Sequence, residues 1–252
     1  MRFKLFIFIF YLSTTIHAQT DSLKVSDSTA VKTHISWLQS RYVKESIAPL
    51  ALVATSLTIM AIPDLKVNLQ HSLMWNDQSK PGYINLGDDY VRYAPTIAAY
   101  ALSFCGLKSQ HRFIDKSIIL AVSYVASDFV VHSTKNLTKE ARPDGGTTDY
   151  SFPSQHTAMA FVAATFLDHE LGYISPWISV GGYAVAGYVG YARIARNAHF
   201  TNDVLMGAAV GILMTNATYW AYDGFMKLFP KNLSVSPIID PQQTGLYVCY
   251  KF

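Results

Sequence analysis

Three short stretches of this chain hold residue types suited to phosphate chemistry. Lys135-Asn-Leu-Thr-Lys-Glu-Ala-Arg142-Pro143 supplies two cations, and Pro153-Ser154-Gln155-His156 supplies a hydroxyl and an imidazole. The stretch from Arg193 to Asp203, which includes His199, adds a third cation, a second imidazole and a carboxylate. That inventory suits a bound phosphoryl group and its in-line transfer to a nucleophile, because cations and N–H donors stabilise the charge that develops on the phosphoryl oxygens.

Each stretch has its own local logic. Lysine is a point charge and arginine a planar fork, so Lys135 and Arg142 together can hold several phosphate oxygens. Pro143 disfavours helix at Arg142 and predicts a turn there. Pro153 and Ser154 look like the start of a helix. The backbone amides of Gln155 and His156, with the Ser154 hydroxyl, would then cradle phosphate oxygens at a helix N-terminus. His199 and Asp203 are four residues apart, hence on one helical face. An aspartate that fixes the imidazole tautomer leaves the other ring nitrogen free to attack phosphorus. Arg196 and Lys139 read as solvent-facing. Taken singly, each stretch also has a plain structural reading: a basic, topology-setting helix end, a capped helix with an incidental histidine, or a structural His–Asp hydrogen bond.

The elements that must position these residues are mostly apolar. Of 252 residues, 50% are hydrophobic and 15% charged, against about 25% charged in soluble proteins. Mean hydropathy is +0.18. The net charge of +3 is too small and too scattered for a nucleic-acid partner. Apolar segments run over 47–62, 93–107, 117–131, 156–167, 174–192 and 204–222, separated by polar loops over 64–91 and 132–155. The expected fold is all-α, a bundle of five to six apolar helices. Glycine and alanine in the last two segments permit close helix packing. Aromatic residues gather at segment ends (Tyr90, Tyr93, Tyr173, Trp177, Tyr219, Trp220, Tyr222) as in an interfacial belt. A membrane-embedded bundle is the favoured reading and a soluble bundle the alternative, since several segments fall short of the roughly 20 residues of a perpendicular span. A 132–155 loop outside the cytoplasm requires that the first apolar segment does not span.

Residues 1–18 read as an export signal: Arg2 and Lys4, then the apolar run Leu5 to Leu12, then Ile16-His17-Ala18. An uncleaved anchor is the alternative. Residues 19–45 form a polar lead-in, 46–230 the helical domain, and 231–252 a tail whose alternation predicts a small β-hairpin. Two cysteines, Cys105 and Cys249, make no disulfide framework, and no metal-ligand spacing is present. Asp128 is expected to pair with a bundle cation, His132 to be peripheral, Asp168-His169-Glu170 to form an interfacial cap, and Asn216 to be a packing amide.

In their order and spacing, the three stretches resemble the type 2 phosphatidic-acid-phosphatase (PAP2) superfamily, which includes class A bacterial acid phosphatases and vanadium haloperoxidases. The family pattern is Lys, six residues, Arg-Pro; then Pro-Ser-Gly-His; then Ser-Arg, five residues, His, three residues, Asp. Lys135, Arg142, Pro143, Pro153, Ser154, His156, Arg193, His199 and Asp203 match it, and the resemblance covers about residues 90 to 222. Gln155 stands where the family has glycine, and Ala192 where it has serine.

The resemblance implies catalytic roles for three residues. His199 would be the nucleophile that forms a phosphohistidine, Asp203 its orienting partner, and His156 the acid that protonates the leaving alcohol. It implies phosphate binding by Lys135, Arg142, Ser154, Gln155 and Arg193, with no metal and no other cofactor. The implied substrates are lipid phosphates: lipid A, undecaprenyl pyrophosphate or a glycerolipid phosphate. The place is the bacterial inner membrane with the site facing the periplasm, and no obligatory protein partner is expected. A soluble periplasmic acid phosphatase and a catalytically weak phospholipid-binding protein are the alternatives.

Overall fold

Polar residues at the ends of apolar runs extend most of the helices well beyond those runs. In the computed structural model, which describes residues 40–74, 87–145, 150–228, 233–240 and 243–250, the six apolar segments lie in helices α1 (Arg41–Ala61), α4 (Ala94–Phe104), α5 (Phe113–Thr138), α6 (Gln155–Leu171), α7 (Pro176–Ala195) and α8 (Thr201–Leu228). The expected export signal and most of the polar lead-in fall outside the described residues. Residues 1–43 and 44–252 are separate units; the second carries the features that follow.

Two short helices occupy the expected polar loop over 64–91: α2 (Pro63–Leu73) and α3 (Asp88–Val91). The first apolar segment ends just before Pro63, which begins α2. A helix's first position needs no N–H, and proline's fixed φ suits it. A second correction concerns α5. It has 26 residues and ends in its left-handed C-cap, Lys139, so His132 and Lys135 lie within its last two turns and not in the loop after it.

The core is built around α6, in which Ala158, Ala160, Val162, Ala163, Ala164, Phe166 and Leu171 are wholly buried. Burying a Phe or Leu side chain contributes about 1.5–3 kcal/mol, and the alanines let neighbouring helices come close. Helices α4, α5, α7 and α8 all pack on α6. The α8 contact is the tightest: a Cβ on Gly207 would lie 2.4 Å from the Ser154 carbonyl oxygen, and one on Gly211 2.4 Å from that of Ala158. Both are far inside van der Waals contact, so only glycine fits.

The outer faces are apolar. Ile114, Ile118, Val122, Val125 and Phe129 form one exposed stripe along α5, and Trp177, Val180, Tyr188 and Tyr191 are exposed on α7. Helices α1 and α8 are long and apolar enough to cross a membrane. That includes the segment expected not to span, because α1 begins six residues before its apolar run. The aromatic belt holds only in part. Trp177, Tyr173 and Tyr90 are exposed, whereas Tyr219 is a core residue and the Trp220 indole N–H donates to Glu45 at 2.7 Å.

Beyond the helices, the backbone of β1 (Leu233–Asp240) runs antiparallel to β2 (Gln243–Tyr250), with Leu233 opposite Tyr250 and Asp240 opposite Gln243.

Candidate active site

The predicted residues meet where α6 and α8 begin and α5 and α7 end. The Ser154 N–H donates to the Asp203 carbonyl at 2.9 Å, and the Gly207 contact presses the same two backbones together. The α7–α8 turn is tight: Ala198 and His199 N–H both point to the Arg193 carbonyl, at 3.1 and 3.3 Å. Asn197 makes this possible by adopting φ 56°, a left-handed conformation that asparagine tolerates better than most residues. Its side chain joins three elements, donating to the Pro143 carbonyl at 3.1 Å and accepting from Gln70 of α2 at 2.7 Å. The Arg142 turn is thereby held against the loop that carries His199.

His199 and Asp203 are almost wholly buried. His199 Nδ1 lies 3.4 Å from Asp203 Oδ2. The same carboxylate oxygen accepts the Phe200 N–H at 2.9 Å, which caps the start of α8, and Oδ1 accepts from Asn202 at 3.0 Å. Burial holds the His199 pKa below the usual histidine value, and the nearby charges of Arg193 and Lys135 add to this, while Asp203 opposes it. His199 therefore sits neutral near pH 7, the form with a lone pair to give.

The cations are set around this pair. Lys135, nearly buried, donates from Nζ to the Tyr150 carbonyl at 2.5 Å and toward the Ser151 carbonyl at 3.4 Å. It lies within electrostatic reach of Arg142, Arg193 and Asp203. Arg193 is also nearly buried, and its Nη1 lies 3.3 Å from Asp88 Oδ2. The buried Nε donors of Arg142 and Arg193 have no hydrogen-bond partner among the described residues. Ser154 is wholly buried, and its Oγ accepts the Thr157 hydroxyl at 2.9 Å, which leaves its own proton to donate. The first N–H groups of α6 have no acceptor within their own helix.

His156, in the first turn of α6, binds Asp89 through Nε2 at 2.7 Å. Burial pushes its pKa down to about 4, helped by Arg193 and Arg92 and opposed by Asp89. Gln155 contributes differently from the rest: its side chain turns away to α5 and donates to Asp128 Oδ1 at 2.6 Å. Asp128 thus pairs with this amide and with His132, 3.2 Å from its other oxygen, and not with a bundle cation.

Three residues of the site were not assigned from sequence. Asp88, wholly buried, bridges Arg193 and Arg196, the latter at 2.7 Å, so Arg196 is not the solvent-facing charge it was expected to be. Asp89 holds His156. Ser151 donates to Asp203 Oδ2 at 2.5 Å. Only Ser151 carries a sequence signal, its place two residues before Pro153.

Residues 116–227 match the PAP2 superfamily model. Over these residues the chain is similar to the PAP2 superfamily. It is 39% identical over 137 residues to the lipid A 1-phosphatase of Porphyromonas gingivalis, a match over 54% of this chain and 31% of that protein. The chain thus spans about a third of the length of this curated relative. Two solved structures are similar. The crystal structure of Aquifex aeolicus LpxE has a TM-score of 0.46 at 23% identity, covering 62% of this chain and 95% of that one. That of a transmembrane PAP2-type phosphatidylglycerolphosphate phosphatase from Bacillus subtilis has a TM-score of 0.49 at 18% identity, covering 73% and 98%. Of the predicted site residues, Arg193, His199 and Asp203 lie on or beside the α7–α8 turn, while Lys135, Arg142, Ser154, Gln155 and His156 lie on α5, in its following turn and at the start of α6.

Proposed function

We propose that this protein is a phosphatase that removes phosphate from a membrane lipid through a phosphohistidine on His199. The observation that carries the reading is the pair of buried donors without a hydrogen-bond partner among the described residues, Arg142 Nε and Arg193 Nε, beside a buried neutral imidazole. Unpaired buried donors are costly, and a phosphate oxygen is the acceptor that suits several cations at once.

In this mechanism His199 Nε2 attacks phosphorus in line, and the P–O bond to the lipid breaks as the N–P bond forms. Lys135, Arg142, Arg193, the Ser154 hydroxyl and the first amides of α6, Gln155 among them, hold the three non-bridging oxygens. Three cations supply the charge compensation, so the step runs without a metal. His156 gives its proton to the departing alkoxide. Water then attacks the phosphohistidine, His156 takes a proton back, and the N–P bond breaks to release phosphate and neutral His199. At about 4, the His156 pKa is low for an acid at neutral pH. An incoming phosphate dianion beside it raises that pKa, so the proton arrives with the substrate.

Lipid is the favoured substrate class because the exposed stripes of α5 and α7 are apolar over their length and α1 and α8 are fit to span. Lipid A is the first candidate, given the name of the Porphyromonas gingivalis relative, in a bacterial inner membrane with the site facing the periplasm. The test compares lipid A by mass spectrometry from cells with the protein, without it, and with His199→Ala. A phosphate-sized mass loss is expected only with the unaltered chain. Unchanged lipid A, together with no phosphate release from phosphatidic acid by the purified protein, would reject the reading.

A further inference from the structure

We propose that Ser151 is a positioning residue that, together with Asp203, fixes the proton of His199 on Nδ1. Ser151 is wholly buried, and both ends of its backbone are held. Its N–H donates to the Glu140 carbonyl at 2.8 Å, and its carbonyl faces Lys135 Nζ at 3.4 Å. Its Oγ therefore has a set position, 2.5 Å from Asp203 Oδ2 and 3.4 Å from His199 Nδ1.

The proton count follows from what each group can do. An ionised carboxylate only accepts, so the Ser151 proton goes to Asp203. What Ser151 Oγ then shows to His199 is a lone pair. Both oxygens facing Nδ1, Asp203 Oδ2 and Ser151 Oγ, are acceptors, and each is at the long distance of 3.4 Å. Two weak acceptors on one N–H do the work of a single short one, and they place the nucleophilic lone pair on Nε2. Ser151 also restrains Asp203, whose Oδ2 is shared with the Phe200 N–H. Because its carbonyl meets Lys135, the same residue ties a phosphate-binding cation to the nucleophile.

The inference rests on the phosphatase reading for its kinetic part only. The structural part is read by nitrogen-15 NMR of the imidazoles in the full chain in detergent, with the His199 signals assigned by their loss in His199→Gln. The unaltered protein is expected to show an Nδ1–H tautomer, and Ser151→Ala a mixture with Nε2–H. Ser151→Cys keeps the volume with a poor donor; it is expected to behave the same way and carries the test if the alanine variant does not fold. A pure Nδ1–H tautomer in a folded variant overturns the proposal, whether or not the protein hydrolyses any lipid.

With phosphatidic acid in mixed micelles, Ser151→Ala is expected to lower kcat by about 10- to 100-fold, the worth of one hydrogen bond to a charged group. KM should change less than about twofold, since uniform binding is untouched. In an Asp203→Ala background the same change should cost almost nothing further, because both act through one imidazole. An equal fold-loss in both backgrounds would mark Ser151 as packing alone and sink the idea. No turnover by the unaltered protein would reject the phosphatase reading and leave the tautomer result to decide Ser151.

Discussion

The two ends of α6 each set a histidine against a buried carboxylate, and they differ in how completely the polar atoms are satisfied. At the N-terminal end, His199 meets Asp203 at 3.4 Å, and the Nε donors of Arg142 and Arg193 have no partner among the described residues. About 20 Å further along the helix axis, Glu170 is wholly buried and saturated. It accepts from His111 Nδ1 at 2.8 Å, from the His111 N–H at 3.1 Å and from the Tyr219 hydroxyl at 2.7 Å. Lys116, buried nearby, is met by the hydroxyls of Ser103 and Ser109 at 2.8 and 2.9 Å. The imidazoles shift in opposite senses: the hydrogen bond to Glu170 raises the His111 pKa against burial, while burial lowers that of His199 despite Asp203. A closed network stabilises its own charges and specifies packing. An open one keeps its imidazole neutral and leaves donors that the proposed phosphate would meet. Of the expected interfacial cap at Asp168-His169-Glu170, Glu170 belongs to this closed network, His169 bonds Asn216 at 2.8 Å, and Asp168 accepts from the Ser179 hydroxyl.

The contrast breaks if function and stability do not separate between the two ends. The largest effect is expected at the open end. His156→Ala should lower the rate on a lipid phosphate by about 10²- to 10⁴-fold, the usual worth of a general acid, while p-nitrophenyl phosphate, whose leaving group needs no proton, loses far less. The unfolding midpoint in detergent should hardly move. A catalytic proton on a group with a free-enzyme pKa of about 4 also fixes a sign: kcat/KM for the lipid should fall as pH rises above that value, and His156→Ala should flatten this fall. A profile that rises from pH 5 to 8 would assign the proton elsewhere.

The closed end should behave in reverse. Glu170→Ala strips the acceptor from His111 and Tyr219 and should destabilise by about 3–5 kcal/mol, as when a buried pair loses one member. Activity per folded molecule should stay within about twofold. The smallest effect is expected at Gln155→Gly, which restores the residue of the family pattern and removes the bond to Asp128. A stability loss of about 1 kcal/mol with near-unaltered kcat is the expected outcome, and a large gain in kcat would show that this side chain obstructs the phosphate.

The helices were legible because their apolar runs are long, and the site because its residues cluster in three stretches with fixed spacing. What the sequence hid shares one physical cause. Asp88 and Asp89 fall in a stretch that reads as a polar loop, where two carboxylates look solvated, and only folding brings them to Arg193, Arg196 and His156. Arg196 was misplaced for the same reason. Glu170 resembles a surface residue until His111 and Tyr219, distant in the chain, close over it. Helix α2 and the last turns of α5 were missed because apolar periodicity stops before a polar helix end does.

Gly207 and Gly211 have one more consequence. With carbonyl oxygens of α6 where their side chains would be, the start of α8 cannot slide along α6. His199, just before α8, and His156, in the first turn of α6, are therefore held in a fixed relation by backbone contact alone. In the proposed reaction, discrimination among substrates would then belong to side chains outside this contact, which can change without moving either histidine.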